Sequence, residues 1–359
     1  MRIPPFFAAA ALLATALPFT FAPLGAAPAA GTAPDVPRKP GAKATASPSP
    51  GPDTDGVKFR AIGPATSGGR VPAVAGSDRD PALYYAGGAG GGVFKSSDGG
   101  TSFQSVWTAA SKFGAIGAIS IAPSDDKTVW VGTGETNPRN DVSYGDGVWV
   151  THDGAKHWAH AGLDDTSTIA KILVDPKNAK RAIVAVLGDP WKDSSARGVY
   201  VTDDGGRTWN KTLYVGPASG AADLAWNPKQ PQTIFAAIWQ FRREPWIATS
   251  GGPADGLYRS RDGGRTWSKI QGHGFPTDTL GRIGVAVAPS DPKRVYAVIQ
   301  SAQGTIWRSD DGGDSWSRVS ANTLPEQRPF YFSHLAVDPR NAKRVISVSM
   351  YLTLSKDGG

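Results

Sequence analysis

Short runs of alternating apolar and polar or small residues recur along the chain from about residue 57 to its end. Ile116 to Pro123 (IGAISIAP) is such a run; Ser124-Asp125-Asp126-Lys127 then supplies turn chemistry, and Thr128-Val129-Trp130-Val131 reads as a return strand. The same strand–turn–strand unit returns at Ile172 to Val186 (ILVDPKNAKRAIVAV), Leu224 to Ile238, Val285 to Ile299 and Leu335 to Val348. A third strand follows, as at Gly198-Val199-Tyr200-Val201 and Gly304-Thr305-Ile306-Trp307. A fourth begins soon after, as at Trp209 to Leu213. Alternation over segments this short predicts strands rather than helices.

Between the third and fourth strands lies a motif that occurs six times: SSDGGTSF, THDGAKHW, TDDGGRTW, SRDGGRTW, SDDGGDSW and a final SKDGG. Its aspartates are Asp98, Asp153, Asp204, Asp262, Asp311 and Asp357, spaced 55, 51, 58, 49 and 46 residues apart. A period of that length marks a repeat architecture with one supersecondary unit per copy. The chemistry suits a tight hairpin. The Asp and Ser/Thr side chains bond the turn backbone, and Gly264 and its equivalents supply positive φ without Cβ strain. The closing Trp or Phe turns into the sheet interface, where burial is worth roughly 3–5 kcal/mol against Ala. The expected fold is all-β: a β-propeller of four-stranded antiparallel blades, five complete and a sixth that stops at Gly359 inside its motif. That stop predicts a fragment of a longer protein.

The motif has the pattern Ser/Thr-x-Asp-x-Gly-x-x-Trp/Phe, and the chain resembles the Asp-box (BNR-repeat) β-propellers: sialidases, xyloglucanases, sortilin-type ectodomains and related bacterial secreted proteins. The resemblance covers about residues 57–359. It implies a scaffold role for the motif aspartates, each committed to its own turn.

The ends add a compartment. Met1-Arg2, the apolar run Phe6 to Leu24 and Ala27-Pro28-Ala29 read as a secretory signal peptide, residues 1–29. Residues 30–56, rich in Pro, Ala, Gly, Ser and Thr, read as a linker. The expected location is secreted or periplasmic, with no stable membrane insertion after cleavage. The chain has no cysteine, hence no disulfide framework and no thiol nucleophile. Its net charge of +7 is spread along the chain without a Lys/Arg cluster, which gives no support to nucleic-acid binding.

In a blade, the Asp-motif hairpins and the first-to-second turns share one face. The second-to-third loops and the inter-blade loops share the other, and these are long and varied, so they form the candidate binding face. Gly132 to Gly147 carries Glu135, Arg139, Asp141, Tyr144 and Asp146; Gly188 to Asp193 carries Trp191; Trp239 to Trp246 (WQFRREPW) carries Arg242, Arg243, Glu244 and Trp246. Aromatic rings beside charged hydrogen-bonding groups suit a polysaccharide or a protein or peptide ligand. The same charges also suit pairing with one another to close the loops. The candidate ligand residues are Glu135, Arg139, Asp141, Tyr144, Trp191, Arg242 and Trp246.

Hydrolysis is the rival reading, with part of its site in missing sequence, and a sortilin-like peptide-binding ectodomain is the third. A glycosidase needs two carboxylates flanking the bond; Glu135, Asp141 and Asp146 are the supply here. The resemblance to xyloglucanases implies a catalytic Asp near position 88, where this chain has Gly88 within Tyr85 to Gly92 (YAGGAGGG). The sialidase Arg-Ile-Pro signature occurs at Arg2-Ile3-Pro4, inside the leader. Arg70, Arg282 and Arg328 are the candidates for an arginine cradle. No Ser/His/Asp triad, metal site or cofactor motif is evident.

Overall fold

The structure, a computed structural model, describes residues 69–107, 113–331 and 333–359. The expected leader and linker lie outside these residues. All the elements below belong to the unit Pro64–Gly359.

The strands form six antiparallel sheets in chain order. Sheet one holds β1 (Ala73–Gly76), β2 (Tyr84–Gly88), β3 (Gly92–Ser96) and β4 (Gln104–Ser105). Sheet two holds β5 (Ile116–Ala122), β6 (Asp125–Thr133), β7 (Val148–Thr151) and β8 (Ala159–His160). Sheet three holds β9 (Ile169–Asp175), β10 (Asn178–Val186), β11 (Gly198–Thr202) and β12 (Asn210–Leu213). In sheet four, β13 (Ser219–Asn227), β14 (Gln230–Arg243), β16 (Gly256–Ser260) and β17 (Ser268–Lys269) are joined by β15 (Ala248–Ser250), which pairs with the far end of β14. Sheet five holds β18 (Ile283–Val287), β19 (Val295–Ile299), β20 (Ile306–Ser309) and β21 (Ser317–Ser320). Sheet six has three strands, β22 (His334–Asp338), β23 (Asn341–Val348) and β24 (Leu352–Ser355). Five complete four-stranded units and a shortened sixth match the expected blades.

Each sheet packs its first strand against the first two strands of the sheet before it: β5 on β1 and β2, β9 on β5 and β6, and so on to β22 on β18 and β19. Alternation explains how. In β10, Ala182, Val184 and Val186 join the cluster shared with sheet two, around Trp130, Val148 and Ile172. Ile183 and Ala185 point the other way, into the cluster with Leu224 and Ile234 of sheet four. A second strand buried on both faces therefore reads as a continuous apolar run rather than an alternating one.

The Asp motif folds as its composition requires. The Thr202 hydroxyl donates to Asp204 Oδ1 at 2.8 Å and accepts from the Gly206 N–H at 3.0 Å. Asp204 Oδ1 also accepts from the Arg207 and Thr208 N–H groups at 3.0 Å, and its Oδ2 from the Thr208 hydroxyl at 2.6 Å. Gly205 and Gly206 take φ of 82° and 84°; in the second copy Ala155 accepts the same conformation at 74°. The first motif glycine donates to the preceding turn, as Gly205 N does to Lys180 O at 2.9 Å. The hairpins and first-to-second turns thus share an end of the sheets, and the longer loops share the opposite end.

One expectation fails in part. Of the closing aromatics only Trp316 is fully buried, at 5% exposure, whereas Phe103 is 45% exposed. Trp158 and Trp209 sit half-buried, donating their indole N–H groups to Val106 O and Ala161 O of the preceding unit. Their polar edge needs that carbonyl at the interface margin, which holds the ring out of the core.

Candidate functional site

Three long loops meet at the end of the sheets opposite the Asp hairpins: the β6–β7 loop, the β10–β11 loop and the β14–β15 hairpin. Glycine sets the first one. Gly134 has φ of 89°, and a Cβ there would lie 2.0 Å from Ser167 O. Only a bare backbone fits between sheets two and three at that point.

Glu135 comes next and is 1% exposed. Arg70 grips it with both arms, Nε to Oε1 at 2.8 Å and Nη2 to Oε2 at 2.7 Å. Those hydrogen bonds raise the Arg70 pKa above the usual arginine value, against the opposing effect of burial. Arg139 pairs with Asp141 at 3.3 Å, and Asp141 also reaches Arg70 at 4.0 Å. The Tyr144 hydroxyl donates to Asp189 at 3.3 Å, and Asp189 accepts the Trp191 N–H at 2.8 Å. Arg242 donates to Trp191 O and to Asp193. Arg243 donates through its side chain to Asn140 and through its backbone to Pro190 O. The candidate residues on units two, three and four are therefore brought together, largely by bonding to one another. What they leave toward solvent is a patch of half-exposed Arg139 and Asp141, Tyr144 at 41% and Trp246 at 81%. Trp191 is half-buried.

Arg197, which the sequence reading passed over, holds the middle loop. It is fully buried and donates to Leu187 O at 2.7 Å, to Lys192 O at 3.1 Å and to Asp189 O. Burial lowers its pKa to about 10. A usable signal existed: a charged residue stands just before the glycine that opens the third strand in Asp146-Gly147, Arg197-Gly198 and Asp255-Gly256. At that position the side chain points back under its own loop.

The arginines proposed as a cradle are engaged separately. Arg70 is committed to Glu135. Arg282, 2% exposed, lies 5.1 Å over the Trp239 ring and donates to Phe330 O at 3.0 Å. Arg328 lies over the Phe330 and Tyr331 rings.

First strands carry a second polar group. Asp223 on β13 is buried and accepts the Leu224 N–H at 2.9 Å and the Val285 N–H at 3.0 Å, bonding sheet four to sheet five. Burial raises its pKa, opposed by the charges of Lys171 and Arg282. His334 on β22 is exposed, and the surrounding protein together with the charges of Arg282 and Lys171 lowers its pKa. Among the described residues no group of three or more His, Cys, Asp or Glu is placed to hold a metal ion. None of their helices is long and apolar enough to cross a membrane.

Comparison with known proteins adds the following. Residues 255–358 match the Sortilin-Vps10 family, described as sortilin, neurotensin receptor 3. An ancestral GH74 enzyme superposes with a TM-score of 0.58 at 19% identity, over 78% of this chain and 35% of that one. The GH74 enzyme of Niastella koreensis gives 0.57 and 19%, over 80% of this chain and 44% of that one. YCF48 bound to D1 peptide gives 0.50 and 16%, over 80% of this chain and 79% of that one. This chain spans about half, or less, of the length of the GH74 enzymes it matches. No curated protein matches the sequence. The fold is that of the β-propellers, with sortilin-like sequence in its last units; at these identities the structural likeness speaks to fold alone.

Proposed function

We propose that the long-loop face binds a protein or peptide ligand, with Trp246 and Tyr144 as contact rings and Arg139 and Asp141 setting orientation. The observation that carries this reading is the mutual bonding of the three loops, which presents Trp246 on a fixed base. A large ring held at low conformational cost is the usual anchor of a protein interface. The sortilin-like segment and the peptide seen on YCF48 favour a polypeptide over a polysaccharide.

Hydrolysis is the weaker reading. An acid–base pair must be free to approach the scissile bond, and Glu135 spends both oxygens on Arg70. Gly88 pairs with Gly92 in a hairpin that carries no carboxylate.

A peptide array and a glycan array probed with the whole chain test the proposal. Peptide hits whose affinity falls about tenfold or more in Trp246→Ala support it. Glycan hits alone, or release of reducing sugar, overturn it.

A further inference from the structure

The hairpin that carries Trp246 has an open side. β14 runs on to Arg243 and returns as β15, with Arg243 opposite Ala248, Arg242 opposite Thr249 and Phe241 opposite Ser250. Just past the strand ends, Glu244 and Ile247 exchange N–H···O bonds of 2.8 and 3.3 Å, and the Gly251 N–H donates to Gln240 O at 3.0 Å. Bonded pairs alternate along an antiparallel ladder, so Arg242 and Thr249 form the bonded pair between these two. Ala248 and Ser250 therefore turn their N–H and C=O groups away from β14. Arg243, facing Ala248, obeys the same rule on the other flank: its N–H leaves the hairpin for Pro190 O at 2.8 Å. On the near flank, among the described residues, β15 pairs with β14 alone, and no other backbone group bonds Ala248 or Ser250.

The strand is held without that edge. Ala248 packs against the cluster of Leu187, Trp239 and Phe241. The Ser250 hydroxyl accepts from the Trp239 indole at 2.9 Å and donates to Gln300 at 2.6 Å. Neither residue is fully buried, and Thr249 between them is exposed. The edge also lacks a guard. Outer strands elsewhere carry a long cation: Lys211 on β12, Lys269 on β17 and Arg318 on β21. Charges of this kind keep an open edge from pairing. β15 is Ala-Thr-Ser, and Trp246 and Ile247 stand just before it, exposed at 81% and 50%.

Backbone donors and acceptors repeating at every second residue of a strand match another extended backbone. We infer that β15 is a strand-addition site: an extended polypeptide lies along its open edge, exchanges main-chain hydrogen bonds with Ala248 and Ser250, and rests an apolar side chain on Trp246. The site is short. It closes at Gly251, where a Cβ would lie 3.0 Å from Leu280 O. The inference rests on the polypeptide reading of the loop face and adds how the ligand is held.

The peptide that binds tightest on the array, resynthesised with an N-methyl group at each residue in turn, tests it by fluorescence anisotropy with the whole chain. Methylation removes a donor and blocks pairing. Affinity should fall about tenfold at two residues spaced two apart and stay near the parent's at the residue between them. Ala248→Pro removes only an outward N–H, a change that edge strands accept. It should weaken the parent peptide about tenfold without lowering the melting temperature, and the methyl scan decides the matter if that variant fails to fold. Binding that is lost in Trp246→Ala but shows no alternation in the scan leaves the loop-face reading standing and overturns strand addition. No peptide bound overturns both. A concentration-dependent dimer lost in Ala248→Pro, with no array peptide bound, makes the occupant a second copy of this chain and overturns it as well.

Discussion

Asp255 and Glu135 are both buried acids, and their surroundings give them opposite fates. Glu135 has a guanidinium on both oxygens. Removing Arg70 would strand that charge, and Arg70→Ala should cost about 3 kcal/mol in urea unfolding, most of it recovered in Arg70→Ala with Glu135→Gln. An additive double variant would contradict the pairing. For Asp255, burial raises the pKa from 3.8 to about 7, only partly countered by its Gln240 and Ser219 hydrogen bonds. The folded chain then keeps a proton that the unfolded chain has lost. Stability should fall as pH rises from about 4 to 7 and level off above that. Glu326, also raised to about 7 by burial, adds to the same slope. Asp255→Asn should flatten the slope and leave the protein at least as stable as wild type at pH 8. An unchanged slope in chemical unfolding across this range would refute the assignment.

Among elements, the Asp hairpin repeats most faithfully, and its energetics run the other way. Hydrogen bonds from the motif's own hydroxyl and backbone groups hold Asp98 down to about 2 and hold Asp204 and Asp262 below the usual carboxylate range. Their contribution is present above the ordinary carboxylate pKa and is lost as pH falls through the lowered values. Acid unfolding should therefore set in below about pH 4, earlier for Asp204→Ala, as followed by circular dichroism. Burial grades the closing aromatics. Trp316→Ala should cost roughly 3–5 kcal/mol and Phe103→Ala less than about 1. Equal losses by thermal unfolding would mean that exposure does not control their role. Gly134 belongs to another kind of element, a loop threaded between two sheets. Gly134→Ala meets both a positive φ and a carbonyl at 2.0 Å, so it should lower the melting temperature sharply.

Across the whole molecule, repetition leaves the last sheet unlike the others. β19 is buried on both faces, whereas in β23 only one face is covered and Ile346 and Val348 are exposed. Leu352 and Leu354 on β24 are exposed at 72% and 44%. At the other end, N-terminal sequencing of exported protein should begin near Ala30 or Gly31; a product starting at Met1 in the cytoplasm would refute the leader.

The sequence by itself determined the unit and its number. Alternation in segments such as Ile172 to Val186 and the spacing of Asp98 through Asp357 are local properties, and local hydrogen bonds and steric rules act on them without reference to the rest of the chain. It also placed Arg139, Asp141, Tyr144 and Trp246 on loops at one end, because strand order alternates the ends; Arg242, expected on a loop, lies instead on the long strand β14, paired with Thr249 of β15. Tertiary structure decided what those side chains do. Arg243 meets Asn140 103 residues away, and Arg70 meets Glu135 across 65, pairings that no spacing encodes. Burial is likewise set by the neighbouring sheet, which is why Asp255 and Arg197, each a charge before a glycine in the sequence, become the buried supports of two loops.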